Sequence, residues 1–140
     1  MAGMTKEERE SFLADVHVGV ISIEQAGSSP LSVPIWYDYS QAVGLWLITE
    51  KASPKGKCIE AAGRFSLLAQ TETRPYQYVS VEGPVIETRV CDPGADLLPM
   101  AARYLGAEEA GPYTDGFRQL PEGAALVYVM RPEVWRTAIL

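Results

Sequence analysis

The hydrophobic positions of this chain fall mainly into short alternating or β-branched runs, separated by turn residues and a few brief helical stretches. Thr5 and Glu8 have the spacing of a capping box and predict a short helix to about Asp15, with Phe12 and Leu13 on its inner side. Val16 to Ile23 (VHVGVISI) is rich in β-branched residues and too short for a buried helix, which predicts a strand. After the turn Gly27-Ser28-Ser29-Pro30, Leu31 to Tyr39 reads as a second strand. Leu31, Val33, Ile35 and Tyr37 lie on one face of it, and Ser32, Pro34, Trp36 and Asp38 on the other. Pro34 has no N–H for a ladder, so this strand is an edge or carries a bulge there. Gly44 to Thr49 (GLWLIT) predicts a third strand that completes a hairpin.

Ser53-Pro54 reads as an N-cap with proline at the first helical position. The helix it opens should reach Ala62 and stop at Gly63. Arg64 to Thr71 is a fourth strand, and Tyr76 to Val90 a long fifth one with a bend or bulge at Gly83-Pro84. A helix follows between Asp92 and Leu105, in which Pro99 is either a kink or the true start. Residues 106–123, rich in Gly and Pro, read as mostly loop, with Glu108-Glu109 a solvated acidic pair. Ala124 to Met130 and Val134 to Leu140 are the closing strands. Six or more strands with short helical connections predict a mainly β, mostly antiparallel barrel of the α+β kind. Closure or a partner is needed to hide the edges.

The 140 residues suit one domain, 1–140, with 47% hydrophobic and 21% charged residues. No apolar run approaches a bilayer span, and the charged start has no signal-peptide core, so a cytoplasmic location is expected. Cys58 and Cys91 have no metal or redox spacing, and His17 is the only histidine. Multi-His metal sites are therefore excluded, as is a Ser-His-Asp or Cys-His catalyst unless His17 carries it alone. His17 on a strand reads as a hydrogen-bonded structural residue. A net charge of −6 argues against duplex nucleic acid as a partner.

The charge distribution is more informative. Three of the four lysines, Lys51, Lys55 and Lys57, cluster where the Ser53-Pro54 helix begins. Cations there oppose the helix dipole, and a bound phosphate would reconcile the arrangement, with backbone N–H groups and the Ser53 hydroxyl as donors. The alternative is a solvated turn whose lysines repel weakly. Pro34-Ile35-Trp36-Tyr37 is the second candidate. A flat ring can lie against such an edge strand with Trp36 shaping the pocket, or Trp36 can simply be core. Tyr76, Tyr78, Ser80 and Glu82 share a polar-aromatic face that is either a pocket or a half-exposed sheet, and Trp135 packs on the core or reaches across a dimer.

Taken in order, these segments resemble the pyridoxamine-phosphate-oxidase-like split β-barrel superfamily, and within it the flavin/deazaflavin oxidoreductases of the small B type. The resemblance covers roughly residues 5–90: the first helix, VGVISI, the turn ending in Pro30, Val33-Pro34-Ile35-Trp36-Tyr37, Ser53-Pro54-Lys55, and Tyr76 to Val85. A weaker echo lies in Arg131-Pro132-Glu133-Val134-Trp135. It implies a homodimer with two cofactor sites at the subunit interface. Val33, Pro34, Ile35 and Trp36 would run beside an isoalloxazine or deazaflavin ring, and Thr49, Ser53, Lys55 and Lys57 would hold the phosphate. Gln70 and Tyr76 would line the site, with Trp135 closing it from the partner subunit.

The implied activity is reduction of an unsaturated organic substrate by hydride transfer from coenzyme F-420. The implied alternatives are an FMN-binding protein of the same superfamily and a non-enzymatic cofactor or haem carrier. Hydride transfer demands orientation and water exclusion more than an acid–base triad, which suits a chain with one histidine. The longer anionic tail of F-420 would engage Lys51, Lys55 and Lys57 together. Two departures stand out: Gly27-Ser28-Ser29-Pro30 replaces the family's Gly-x-Pro turn, and Pro99 interrupts a helix the family leaves intact.

Overall fold

One strand, β6 (Gln77–Val90), is long enough to serve two sheets. The computed structural model describes residues 2–140. The first half of β6 lies between β5 (Arg64–Gln70) and β8 (Val134–Ile139), and this sheet continues through β1 (Gly19–Ile23) to β2 (Leu31–Ile35). Its second half pairs with β7 (Ala125–Met130), followed by β4 (Gly44–Glu50) and β3 (Asp38–Ser40). All of these pairings are antiparallel. The handover falls at Gly83-Pro84, and the register slips between Val85 and Glu87, the bend expected from Gly-Pro. The result is an α+β split β-barrel. Leu13, Ile21, Tyr37, Leu47, Leu67, Val81 and Met130 are almost wholly buried in a core shared by the two sheets.

The helices begin where local chemistry dictates. In α1 (Lys6–Ala14), Thr5 Oγ1 accepts from the Glu8 N–H and Glu8 reaches back to the Thr5 N–H, a complete capping box. In α2 (Pro54–Ala62), Ser53 caps the start, Pro54 takes the first position, and Gly63 ends it at φ 69°. β2 pairs only with β1, so Pro34 does sit on an edge strand.

Two expectations are corrected. The strand expected over residues 31–39 is broken at Trp36-Tyr37, because the chain changes sheets there. β2 belongs to the first sheet and β3 to the second. The Tyr37 main chain is satisfied instead by the Tyr104 hydroxyl, which accepts from the Tyr37 N–H at 3.1 Å and lies 3.0 Å from the Tyr37 carbonyl. The same hydroxyl donates to the His17 carbonyl at 2.6 Å, which helps to explain why β1 starts only at Gly19.

The second correction concerns residues 106–123. Residues 107–117 form a helix, α4 (Ala107–Phe117), despite Pro112 in its interior. Glu108 and Glu109 lie in its first turn, where carboxylates complement the dipole, so this pair is helical. Ala110 and Thr114, four residues apart, are buried on the face that packs against α3 (Leu98–Leu105). Pro99 falls in the first turn of α3, where its missing N–H is tolerated, so it marks a start.

A π-helical turn, Pro93–Leu97, leads directly into α3, with the Leu98 N–H reaching the Pro93 carbonyl. Asp96 holds this turn. Its two oxygens accept from Arg89 at 2.7 and 2.9 Å, and one also accepts from the Asp92 N–H at 2.8 Å. The Arg89 hydrogen bonds hold the Asp96 carboxyl below its ordinary value of 3.8 against the opposing effect of burial. A depressed carboxylate pKa contributes stability above the unfolded value, and that contribution disappears as pH falls through the folded one. Arg89 is half exposed, so its pairing is partly screened. Asp96→Asn should cost about 1–2 kcal/mol at pH 7. In urea titrations at several pH values the gap to wild type should close below about pH 4; a gap that persists unchanged at pH 2.5 would refute the assignment.

Candidate functional site

A cleft of about 310 Å³ opens where the free edge of β2 meets the start of α2. One wall is Pro34, Ile35 and Trp36 from the β2 edge. The floor is Ile48 and Thr49 from β4, and Glu50 and Lys55 flank the start of α2. Leu97, Met100, Tyr113 and Phe117 form the roof, supplied by the π-turn, α3 and α4. The volume is at the low end for ligand pockets and of the usual mixed character.

The anion-favouring corner follows from the helix start. Pro54 has no N–H, the Gly56 N–H goes to Ser53 Oγ at 3.1 Å, and the Lys57 N–H goes to the Ser53 carbonyl at 3.0 Å. That leaves the Lys55 N–H as the first-turn donor without a hydrogen-bond partner among the described residues, and Lys55 itself lines the cleft. Ser53 is occupied as a cap: its hydroxyl lies 2.6 Å from the Glu50 carbonyl and 3.3 Å from Thr49 Oγ1. Thr49 is nearly buried beneath it. Glu50 is exposed at the rim and makes no ion pair with Lys55 among the described residues.

Trp36 is half-buried, neither core nor free. Its indole stacks on Tyr104 at 4.9 Å and 6°, and Tyr113 leans on it at 5.2 Å and 41°. Arg103, beside Tyr104, pairs with Asp38 at 3.1 Å, so α3 is tied to both sides of the strand break. The aromatic wall is therefore fixed by a helix distant in sequence.

Of the residues singled out from the sequence, the fold brings Pro34, Ile35, Trp36, Thr49 and Lys55 to one cleft, with Ser53 directly behind it. Val33 lies on the same strand, paired with Ile21 and not at the cleft wall. Lys51 and Lys57 are exposed outside it. Gln70 and Tyr76 flank the β5–β6 turn, exposed and away from the cleft, and Trp135 sits on β8 under Arg9, 4.5 Å from its guanidinium, with Tyr39 at its edge. His17 is also outside the cleft: Nε2 lies 3.0 Å from the Phe12 carbonyl and the ring stacks on Phe12 at 4.3 Å. Sequence reasoning missed Leu97, Met100, Tyr113 and Phe117. The spacing of Ala110, Thr114 and Phe117 was the signal for the helix that carries two of them, masked by Pro112 and Gly111.

No protein-family model matches this chain, and no curated protein does. Solved structures do. An F420 reductase superposes with a TM-score of 0.70 at 22% identity, covering 91% of this chain and 94% of that one. A putative pyridoxamine 5'-phosphate oxidase from Listeria innocua gives 0.64 at 14% identity, covering 94% and 95%. The haem storage protein HutZ from Vibrio cholerae gives 0.64 at 12%, covering 96% and 93%. The chain thus has the pyridoxamine-phosphate-oxidase-like split β-barrel fold. The resemblance read from the sequence therefore holds at the level of fold. Among the described residues no helix is long and apolar enough to cross a membrane.

Proposed function

We propose that this chain is a flavin/deazaflavin-type oxidoreductase that uses coenzyme F-420, with FMN as the alternative cofactor, to reduce an unsaturated organic substrate. The observation that carries the reading is Lys55, a cation at the start of α2 that lines a cleft with a free strand edge and an aromatic wall. The residues fit a phosphate joined to a flat ring. Lys55 takes the phosphate, the β2 edge from Pro34 to Trp36 lies along the ring, and Ile48 and Met100 exclude water. A reduced ring held there would supply hydride-transfer chemistry, with this chain's residues binding it, orienting it and keeping water out.

Lys51 and Lys57, exposed outside the cleft, suit a longer anionic tail and favour F-420 over FMN. Ser53 contributes as the cap that holds Lys55 in place. A homodimer would bring Gln70, Tyr76 and Trp135 of a second copy toward the cleft, where one chain alone does not place them. Haem ligation would fall to His17, whose Nε2 is taken by the Phe12 carbonyl, and this favours the cleft reading.

The test is side-by-side titration of the purified protein with F-420 and FMN, followed by fluorescence quenching. Lys55→Ala should weaken cofactor binding by about 10- to 100-fold, the value of a charge-assisted hydrogen bond. Lys57→Ala should change FMN affinity less than about threefold. Wild-type affinity in Lys55→Ala for both cofactors would overturn the phosphate assignment.

A further inference from the structure

A separate hollow of about 330 Å³ lies between α1, the turn joining β3 to β4, and the connection from β7 to β8. It shares no lining residue with the Lys55 cleft. Arg9, which lines it, is half-buried with its guanidinium 4.5 Å from the centre of the Trp135 ring. Among the described residues this guanidinium has no carboxylate partner, and its Nε is closed off from solvent without an acceptor. A buried donor left open costs folding free energy, and folded chains rarely keep one without a use. We infer that this hollow is a second binding site, for a small monocarboxylate with an apolar or aromatic body, and that Arg9 and Lys6 pair with the carboxylate. The inference stands on one chain alone and does not rest on the oxidoreductase reading.

Charge around the hollow selects the anion. Lys6, Arg9 and Arg131 line it against a single carboxylate, Glu10, which accepts from the Tyr39 hydroxyl at 3.5 Å. Arg131 is already paired with Glu133 at 3.0 Å. The excess is thus about one positive charge, which suits a monoanion and leaves a dianionic phosphate under-neutralised. A guanidinium also presents parallel N–H groups that match a planar carboxylate.

The remaining wall is apolar. Val43 and Ile86 are exposed hydrophobic residues that line the hollow together with Pro132 and the Trp135 indole. Apolar surface left in water beside unpaired cations is what the body of such a ligand would cover. The frame is also set in advance. The Thr5 capping box fixes the turn that carries Lys6, and the Met4 N–H donates to Thr137 Oγ1 at 2.9 Å, tying the start of α1 to β8. Gly44, at φ 105°, lets the β3–β4 turn lie on β7, where a Cβ would stand 2.8 Å from the Met130 carbonyl oxygen. Little binding free energy is then lost in ordering the walls.

The experiment uses the full chain and a matched pair of probes, benzoate and benzamide, titrated by amide NMR, with inorganic phosphate as the third probe. Benzoate should shift residues 6–10, 41–44, 86 and 131–135, and bind at least about tenfold more tightly than benzamide or phosphate. Arg9→Gln should weaken benzoate at least about tenfold, and Arg9→Lys less, since lysine keeps the charge and loses the fork. Because Arg9 also packs on Trp135, Ile86→Glu at an exposed position gives an independent check and should weaken benzoate about fivefold. Saturating FMN should leave benzoate affinity within about threefold, because the two hollows have no residue in common. Benzamide or phosphate bound as tightly, shifts centred on residues 53–57 or none at all, full affinity in Arg9→Gln or in Ile86→Glu, or displacement by FMN would each overturn the site. So would benzoate affinity that falls as protein concentration rises, the mark of a second copy filling the hollow.

Discussion

Replacing Gly83 by alanine is expected to cost at least about 3 kcal/mol of folding stability, the largest effect of any single methyl group in this chain. A Cβ at this position would overlap the Arg131 carbonyl oxygen and come within 2.9 Å of the Arg131 carbonyl carbon. Both are backbone atoms, so no side-chain rotation relieves the clash. The neighbourhood is also tied on both sides. The Arg131 N–H donates to the Pro84 carbonyl at 3.1 Å and the Glu133 N–H to the Glu82 carbonyl at 2.9 Å. These bonds hold the β7–β8 connection against β6 at the point where β6 passes between sheets. Moving the connection would loosen β8 and disturb Trp135 with it. The loss is a large fraction of the 5–15 kcal/mol by which domains are typically stable. Urea unfolding should show a lower midpoint with a similar slope, and amide exchange should accelerate first along β8. A midpoint matching wild type would show that the close approach does not exist in solution.

Gly56→Ala should be nearly as costly, about 2–4 kcal/mol, and should also remove cofactor binding. The added methyl would meet the Glu50 carbonyl oxygen and sit 2.8 Å from both the Cα and the carbonyl oxygen of Lys51. The first turn of α2 lies directly on the end of β4 and is stitched there by Ser53, through its N–H and its hydroxyl to the Glu50 carbonyl. Pushing that turn outward carries Lys55 away from the cleft. Its effect on affinity should therefore equal or exceed that of Lys55→Ala, even at temperatures where the variant is fully folded. Gly116→Ala is the control, since nothing lies within 4 Å of a Cβ there and the helix should tolerate or gain from it. Cofactor titration together with thermal unfolding of both variants checks the pair. Undiminished affinity in folded Gly56→Ala would separate the helix start from the binding site.

The helix start that carries Lys55 was legible because its signals are local, while the placing of Lys51 and Lys57 outside the cleft was not. Ser53, Pro54 and Gly63 act within a turn or two of themselves, as do Thr5 and Glu8, and their chemistry is written in adjacent residues. Pro34 likewise announced an edge strand or a bulge by the donor it lacks, and the pairing of β2 with β1 alone makes it an edge. The roof of the cleft was not legible. Pro112 and the glycines of residues 106–123 argue for a loop, and α4 forms because Ala110 and Thr114 are buried against α3. That burial is invisible until α3 has been placed.

Along the chain itself one could read the helix starts, the strand alternation, the missing ladder donor at Pro34 and the cations gathered at α2, since each depends on neighbours a few bonds away. Where the chain leaves one sheet for the other was set by packing between distant segments. That break at Trp36-Tyr37 is stabilised by a hydroxyl 67 residues distant, on Tyr104. The aromatic wall, the roof formed by Leu97, Met100, Tyr113 and Phe117, and the separation of Gln70, Tyr76 and Trp135 from the cleft are decisions of the same kind. They follow from which surfaces meet when the core closes, and no spacing along the chain encodes that.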